Sequence, residues 1–202
     1  MFRSTTARLT TWLGSPGRRP LVLRGTRQVG KTWLVRDLAA QSGRDLVEIN
    51  FEREPRLSRH FEPKAPRAVL DNLSLALGRS ITADRSLLFL DEIQAAPPIL
   101  ASLRWFAEEL PELPVIAAGS LLELALAEQP WSAPVGRIGF RHVEPMSFPE
   151  FLLVHEQKRL LDVLESWAPG ARLGDAAHEA ATGWFERYSM VGGMPAVVAE
   201  DV

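Results

Sequence analysis

The stretch LVLRGTRQVGKT, residues 21–32, places a glycine-rich segment directly after an apolar run. Its last eight residues match the pattern G-x-x-x-x-G-K-[ST]. The apolar residues 21–23 predict a buried strand, and residues 33–40 predict a helix. A strand, a glycine-rich loop and a helix in this order form a phosphate-binding loop, in which backbone N–H groups and the helix N-terminus bind phosphate oxygens.

Each residue type in this loop suits phosphate chemistry. Glycine lets the backbone approach an anion closely. We expect the Lys31 ammonium to reach the β- and γ-phosphates, which makes it both a binding and a catalytic candidate, and the Thr32 hydroxyl to bind Mg²⁺. The other candidate nucleotide-binding residues of the segment are Gly25, Thr26, Arg27, Gln28, Val29, Gly30 and Trp33. The alternative is a glycine turn that carries a lysine by chance.

A second motif, LLFLDEIQ at residues 87–94, supplies carboxylates at the end of another apolar run. The carboxyl edge of a parallel sheet is where α/β proteins bind ligands. Asp91 is the candidate metal residue, because hard oxygen ligands suit Mg²⁺. Glu92 is the candidate catalytic residue that activates the attacking water. The alternative for this pair is an acidic cap on the helix that follows.

Two further positions are candidates. Ser120 follows the apolar residues 115–118 and could contact the γ-phosphate, or it could be the N-cap of a helix, with Glu123 completing a capping box. Arg137, in VGRIGF, could be an arginine finger that acts on the nucleotide of a neighbouring subunit. Its alternative is a surface arginine paired with a carboxylate.

Strand-like and helix-like segments alternate up to residue 146, which predicts an α/β fold with a parallel sheet covered on both faces. The predicted strands are residues 21–23, 46–50, 87–90, 115–118 and 137–143, and the predicted helices are residues 4–13, 33–40, 71–79, 99–110 and 121–128. From residue 147 the pattern is helical: Ser147 and Glu150 have capping-box spacing and predict a helix to about residue 167. Asp175 is expected to cap a helix through residue 188, and a further helix begins near the end.

The composition excludes several classes of function. A net charge of −2 gives no sign of bulk affinity for nucleic acid or an anionic membrane, and no apolar run is long enough to span a bilayer. The absence of cysteine excludes disulfides and thiolate metal sites. The four histidines lack metal-ligand spacing, and the basic stretch 53–67 is balanced by acids, as in a solvated loop. We expect a soluble cytoplasmic protein.

The motifs GTRQVGKT, LLFLDEIQ, AAGS, VGRIGF, EPMSFPEF and VGGMP, in this order and spacing, resemble those of prokaryotic AAA-type ATPases. The resemblance implies a three-layer α/β/α P-loop fold with a five-stranded, mainly parallel sheet of order 5-1-4-3-2. It implies an ATPase core over residues 1–146, and a helical extension over 147–202 that begins a truncated C-terminal region of unknown function. It also implies that Gly193 and Pro195 approach the adenine of the nucleotide.

Three functions remain open at this point. The first is Mg²⁺-dependent hydrolysis of ATP to ADP and phosphate, with the energy used for conformational change. The second is a nucleotide-gated interaction module that binds ATP with little turnover. The third, phosphoryl transfer to a small molecule, is disfavoured because Glu92 suits water activation. The expected ligands are ATP, ADP and Mg²⁺, and the expected macromolecular partner is a further copy of the chain or an unidentified protein.

Overall fold

The computed structural model describes residues 2–120, 136–168 and 170–202. It divides into two compact units. One comprises Thr5–Val143, and the other combines Met1–Ser4 with Glu144–Val202. Among the described residues, no helix has both the length and the apolar composition that crossing a bilayer requires.

Strands and helices alternate along the first unit. The strands are β1 (Leu21–Arg24), β2 (Asp45–Asn50), β3 (Ser86–Asp91), β4 (Val115–Ala118) and β5 (Gly139–His142). The described helices are α1 (Ser4–Gly14), α2 (Lys31–Ser42), α3 (Pro66–Leu77) and α4 (Pro97–Glu109), with 3₁₀ segments at Pro55–Phe61 and Ile93–Ala95. The helix predicted over residues 121–128 lies outside the described residues.

The five strands form one parallel sheet in the order β2-β3-β4-β1-β5. This confirms the order 5-1-4-3-2. Strands β3 and β4 are buried along their whole length, as expected for inner strands of a sheet covered on both faces. Leu88 and Leu90 of β3 pack in a core with residues of α3 and α4, whereas α2 contacts β2, β3 and β4.

Helix α3 and strand β5 are among the elements of the first unit whose bounds differ from the sequence prediction. Helix α3 begins at Pro66, five residues before the predicted start, because proline is well suited to the first turn of a helix and Val69 and Leu70 join the core. The fifth strand is shorter than residues 137–143. Its alternately half-buried and exposed residues identify it as the edge strand of the sheet.

The second unit is helical, with α5 (Phe148–Val154), α6 (Lys158–Ser166), α7 (Asp175–Val191) and α8 (Pro195–Asp201). The predicted capping box is confirmed: the Ser147 hydroxyl accepts from the Glu150 N–H, and the Glu150 carboxylate accepts from the Ser147 N–H. The prediction of one helix to about residue 167 is wrong. Glu156, with φ 60°, takes a left-handed conformation that ends α5 before α6 begins.

The prediction that Asp175 caps the next helix is also wrong. Gly174 occupies the N-cap of α7, and Asp175 is the first helical residue. Its carboxylate lies 3.0 Å from the Arg172 guanidinium, with both side chains exposed. A carboxylate in the first turn still interacts favourably with the helix dipole, which explains its place there.

The glycine pair between α7 and α8 has a structural role within the second unit. The Met146 N–H donates to the Gly193 carbonyl at 2.6 Å, and a Cβ added to Gly193 would lie 2.2 Å from the Met146 carbonyl oxygen. Only glycine allows the two backbone segments to approach this closely. Met146 and Val198, both fully buried, pack in one cluster beside this contact.

We predict that Gly193→Ala destabilises the protein by roughly 1–3 kcal/mol, because the new methyl group forces the backbone near Met146 to move. Gly183→Ala is the matched control. Gly183 lies inside α7 with open space around its Cα, so alanine should stabilise the helix by up to about 1 kcal/mol. Denaturant unfolding measures both changes, and equal stability of the two variants would contradict the packing role of Gly193.

Candidate active site

The loop between β1 and α2 has an unusual backbone. Positive φ angles occur at Gly25 (138°), Gln28 (66°) and Gly30 (89°). Gln28 is the one residue of these three that is not glycine. A residue with a side chain destabilises the fold by roughly 1 kcal/mol or more when its backbone is left-handed. Left-handed residues interspersed with right-handed ones turn successive N–H groups toward a common point, which produces an anion-binding concavity.

Gly25 is required by the neighbouring strand as well as by its own conformation. The Val143 N–H donates to the Arg24 carbonyl at 2.8 Å, which continues the pairing of β1 with β5. A Cβ on Gly25 would lie 2.2 Å from the Val143 carbonyl oxygen. The first glycine of the motif therefore lets the loop leave the sheet beside β5.

Lys31 begins α2 and turns back over the loop. Its Nζ donates to the carbonyls of Gly25 and Thr26, both at 2.8 Å, and the residue is only 8% exposed. Burial lowers the pKa of the Lys31 ammonium, while the nearby carboxylates of Glu92 and Asp91 act in the opposite direction. A partly desolvated ammonium over an anion-binding loop gains strongly from a phosphate partner.

Asp91 is the last residue of β3, and its carboxylate meets the first turn of α2. Oδ2 accepts from Thr32 Oγ1 at 3.2 Å and from Asn50 Nδ2 at 3.3 Å, and Oδ1 accepts from the Glu92 N–H at 3.2 Å. Burial raises the pKa of the Asp91 carboxyl, and the adjacent Glu92 carboxylate raises it further. These hydrogen bonds fix the carboxylate beside the Thr32 hydroxyl.

The donor set at this point fits Mg²⁺. The Thr32 hydroxyl and the Asp91 carboxylate are hard oxygen ligands that lie within hydrogen-bonding distance of each other. Mg²⁺ at nucleotide sites takes one or two such protein ligands, and its other ligands are phosphate oxygens and water. The described residues contain no cluster of three or more acidic or histidine side chains that could enclose a metal by themselves.

Glu92 lies just beyond β3 in a left-handed conformation, with φ 50°. Its Oε2 accepts from Gln94 Nε2 at 2.5 Å and from Ser120 Oγ at 3.3 Å. A strained backbone and two donors thus hold one carboxylate at the carboxyl edge of the sheet. Ser120, two residues after β4, and Glu92 are two sequence candidates that the structure brings together.

Sequence reasoning missed Asn50 and Gln94. Asn50 orients Asp91, and its Oδ1 accepts from the N–H groups of Glu52 and Arg53 at 3.1 and 3.0 Å. The sequence contains a signal for both residues. Asn50 is the polar residue that ends the second apolar strand, and Gln94 lies two residues after Glu92 in the same motif.

Three other sequence candidates are not among the residues in the contacts described above. The Arg137 guanidinium lies 2.9 Å from the Glu108 carboxylate of the same chain, the kind of pairing expected of a surface arginine. Trp33, on α2, is 40% exposed, and Pro195 begins α8 in the other unit. The roles of these residues in nucleotide binding and catalysis stay predictions.

Many solved structures resemble the chain, among them the following two. The Walker-type ATPase PABY2304 of Pyrococcus abyssi is 21% identical with a TM-score of 0.49, and the match covers 98% of this chain and 65% of that one. PCH-2 of C. elegans is 15% identical with a TM-score of 0.49, covering 97% and 58%. The chain therefore spans less than two thirds of either, and likenesses this distant carry no functional information. No curated protein matches.

A family model gives a clearer result. The model described as an AAA domain matches residues 17–152, more than half of the chain. The match includes the loop from Gly25 to Thr32, the carboxylates Asp91 and Glu92, and every strand of the sheet. The chain belongs to the AAA domain family.

Proposed function

We propose that this chain binds Mg-ATP at the loop from Gly25 to Thr32 and hydrolyses it to ADP and phosphate. The observation that carries the proposal is the 3.2 Å contact between Thr32 Oγ1 and Asp91 Oδ2, which joins two motifs 59 residues apart. The resulting site contains a glycine-rich loop with positive φ angles, an ammonium, a pair of hard oxygen ligands and a second carboxylate. Membership of the AAA domain family supports nucleotide binding.

In this mechanism the loop N–H groups and the Lys31 ammonium bind the β- and γ-phosphates, with Lys31 exchanging its carbonyl partners for phosphate oxygens. Thr32 and Asp91 would hold Mg²⁺, which would supply positive charge beside the phosphate oxygens. The Glu92 carboxylate orients a water and accepts its proton. The water oxygen bonds to the γ-phosphorus as the bond to the β,γ-bridging oxygen breaks, giving ADP and inorganic phosphate.

A second candidate function is an ATP-gated switch with little turnover. The observation that favours it is the engagement of Glu92 Oε2 by both Gln94 and Ser120, which leaves this carboxylate fewer lone pairs for an attacking water. In a switch, ATP binding alone would change the conformation. In an ATPase, Glu92 would also accept a hydrogen bond from the attacking water.

Finer parts of the proposal rest on the sequence resemblance. We infer that the base is adenine and that residues 1–146 form the ATPase core. The helical residues 147–202 would then respond to the nucleotide. The lack of cysteine is compatible with the reducing cytoplasm. Further copies of the chain or another protein would be the partner.

Variants of the two charged residues separate binding from hydrolysis. We predict that Lys31→Ala weakens ATP binding at least tenfold, because a charge-assisted contact is lost. Glu92→Gln should keep ATP binding and lose turnover by roughly 10²- to 10⁴-fold, because the general base is removed. Calorimetry and ADP release measure the two quantities. Wild-type binding without turnover would favour the switch, and unchanged binding by Lys31→Ala would contradict the site.

Replacement of the metal ligands tests the cation site. We predict that chelation of Mg²⁺ weakens ATP binding to the wild type but has little further effect on Thr32→Val. Thr10→Val is the matched control, since the Thr10 hydroxyl donates only to the Thr6 carbonyl on an exposed face of α1. Equal Mg²⁺ dependence of the two variants would contradict the role of Thr32.

Acidification tests the other metal ligand. Because burial raises the pKa of Asp91, protons should compete with Mg²⁺ at a higher pH than for an ordinary aspartate. The Mg²⁺-dependent part of ATP binding is present above this raised pKa and is lost as the pH falls through it. The measurement is the difference in affinity with and without Mg²⁺ from pH 8 downward, and Asp91→Asn should show a difference near zero throughout.

A further inference from the structure

Arg27 lies in the loop and closes a ring of polar contacts around Glu92. Arg27 Nε donates to Ser120 Oγ at 3.4 Å, and the Ser120 hydroxyl donates to Glu92 Oε2. Gln94 Nε2 donates to Glu92 and, at 3.4 Å, to Glu52 Oε1. The ring closes where Arg27 Nη2 lies 3.8 Å from Glu52 Oε1. Arg27 is thereby connected through one hydroxyl to the carboxylate that would activate water.

The loop brings two cations together. Arg27 and Lys31 lie four residues apart in this loop, and both side chains are cationic. Two cations in one loop repel each other unless an anion lies between or beside them. The γ-phosphate of ATP carries close to two negative charges and three equatorial oxygens. Lys31 can bind one oxygen of such a group and Arg27 another.

The present partners of Arg27 are easily exchanged. Its side chain is 65% exposed and that of Glu52 is 47% exposed, so their ion pair is screened by solvent and contributes little. The contact with Ser120, at 3.4 Å, is long for a hydrogen bond. Phosphate oxygens accept the planar guanidinium fork with better geometry than either partner does.

Arg137 differs in this respect. Its Nε lies 2.9 Å from Glu108 Oε1, and the Glu108 side chain is more buried than that of Glu52. Arg27 also lies within the phosphate loop, whereas Arg137 precedes the edge strand β5. Of these two arginines, Arg27 is the one that needs no second subunit to reach a nucleotide in its own loop.

We propose that Arg27 is a catalytic residue that binds the γ-phosphate of ATP within its own chain and stabilises the charge of the transition state. Glu52 and Ser120 hold its guanidinium when no γ-phosphate is present. When Arg27 moves to the phosphate, its contact with Ser120 is released, so occupancy by ATP, but not ADP, changes the surroundings of Glu92. This inference rests on the proposed ATPase function.

The test combines affinity and turnover. In a Glu92→Gln background, which prevents hydrolysis, Arg27→Ala should weaken ATP binding about tenfold and leave ADP binding within about twofold. In the background with Glu92 intact, Arg27→Ala should lower turnover on the order of 10³-fold. Arg67→Ala is the matched control, because Arg67 forms a similarly exposed ion pair, 3.5 Å from Glu112. It should change neither quantity.

Mixing two inactive variants distinguishes action within one chain from action between chains. If Arg27 acts in its own chain, Arg27→Ala mixed with Glu92→Gln stays inactive at every protein concentration. Restored turnover would overturn the proposal, since it would mean that the arginine of one chain serves the nucleotide of another.

The same measurements separate this inference from the proposed function. An unchanged ratio of ATP to ADP affinity in Arg27→Ala, together with loss of binding in Lys31→Ala, would overturn the role of Arg27 alone. Unchanged ATP binding in Lys31→Ala would overturn the proposed function. Unfolding curves of Arg27→Ala and Arg27→Lys should match the wild type, because the side chain is largely exposed.

Discussion

The parallel pairing of β3, β4 and β1 is the constraint on which the site depends. Leu90 pairs with Ala117, and Leu23 pairs with Ala118, so the three strands end at nearly the same level of the sheet. Their carboxyl ends carry Asp91, Ser120 and the glycine loop. Residues far apart in sequence therefore meet at the carboxyl edge of the sheet. The first turn of α2 then places Thr32 against Asp91.

The site contains buried charged side chains and left-handed backbone conformations, both of which are unfavourable for folding. Lys31 and Asp91 are among the few buried charged residues described, and Gln28 and Glu92 adopt left-handed backbone conformations. Burial lowers the pKa of Lys31 and raises the pKa of Asp91, so the charged form of each side chain is destabilised. A bound phosphate and a divalent cation would each restore the favoured charged state. The strain is thus of the kind that ligand binding relieves.

Much of the first unit could be predicted because its signals are local. The apolar runs of β3 and β4 were evident in the sequence, and the strand order came from the resemblance to AAA-type ATPases rather than from periodicity. The helix break at Glu156 could not be predicted, because a left-handed residue other than glycine leaves no mark in the hydrophobic pattern. The start of α3 differs from the prediction because the mixed charges of residues 53–67 indicate a solvated loop, whereas the proline at residue 66 suits the first turn of a helix.

In the site, the sequence identifies the residues whose types suit phosphate chemistry. It does not identify the residues that contact and orient them. Gln94 and Glu52 are ordinary polar residues in the sequence, and only the structure shows them around Glu92 and Arg27. Gly193 was assigned to the nucleotide by resemblance, whereas its close approach to Met146 gives it a packing role independent of any ligand. Such contacts depend on distances across the fold, which a single sequence does not contain.

The central claim is that the loop from Gly25 to Thr32 holds the phosphates of a nucleotide. A crystal structure of the chain with Mg²⁺ and a non-hydrolysable ATP analogue tests it most directly. We predict that the triphosphate lies in this loop, with Lys31 Nζ transferred from the Gly25 and Thr26 carbonyls to phosphate oxygens. A nucleotide bound elsewhere, or Lys31 still bonded to the two carbonyls beside a bound nucleotide, would contradict the account.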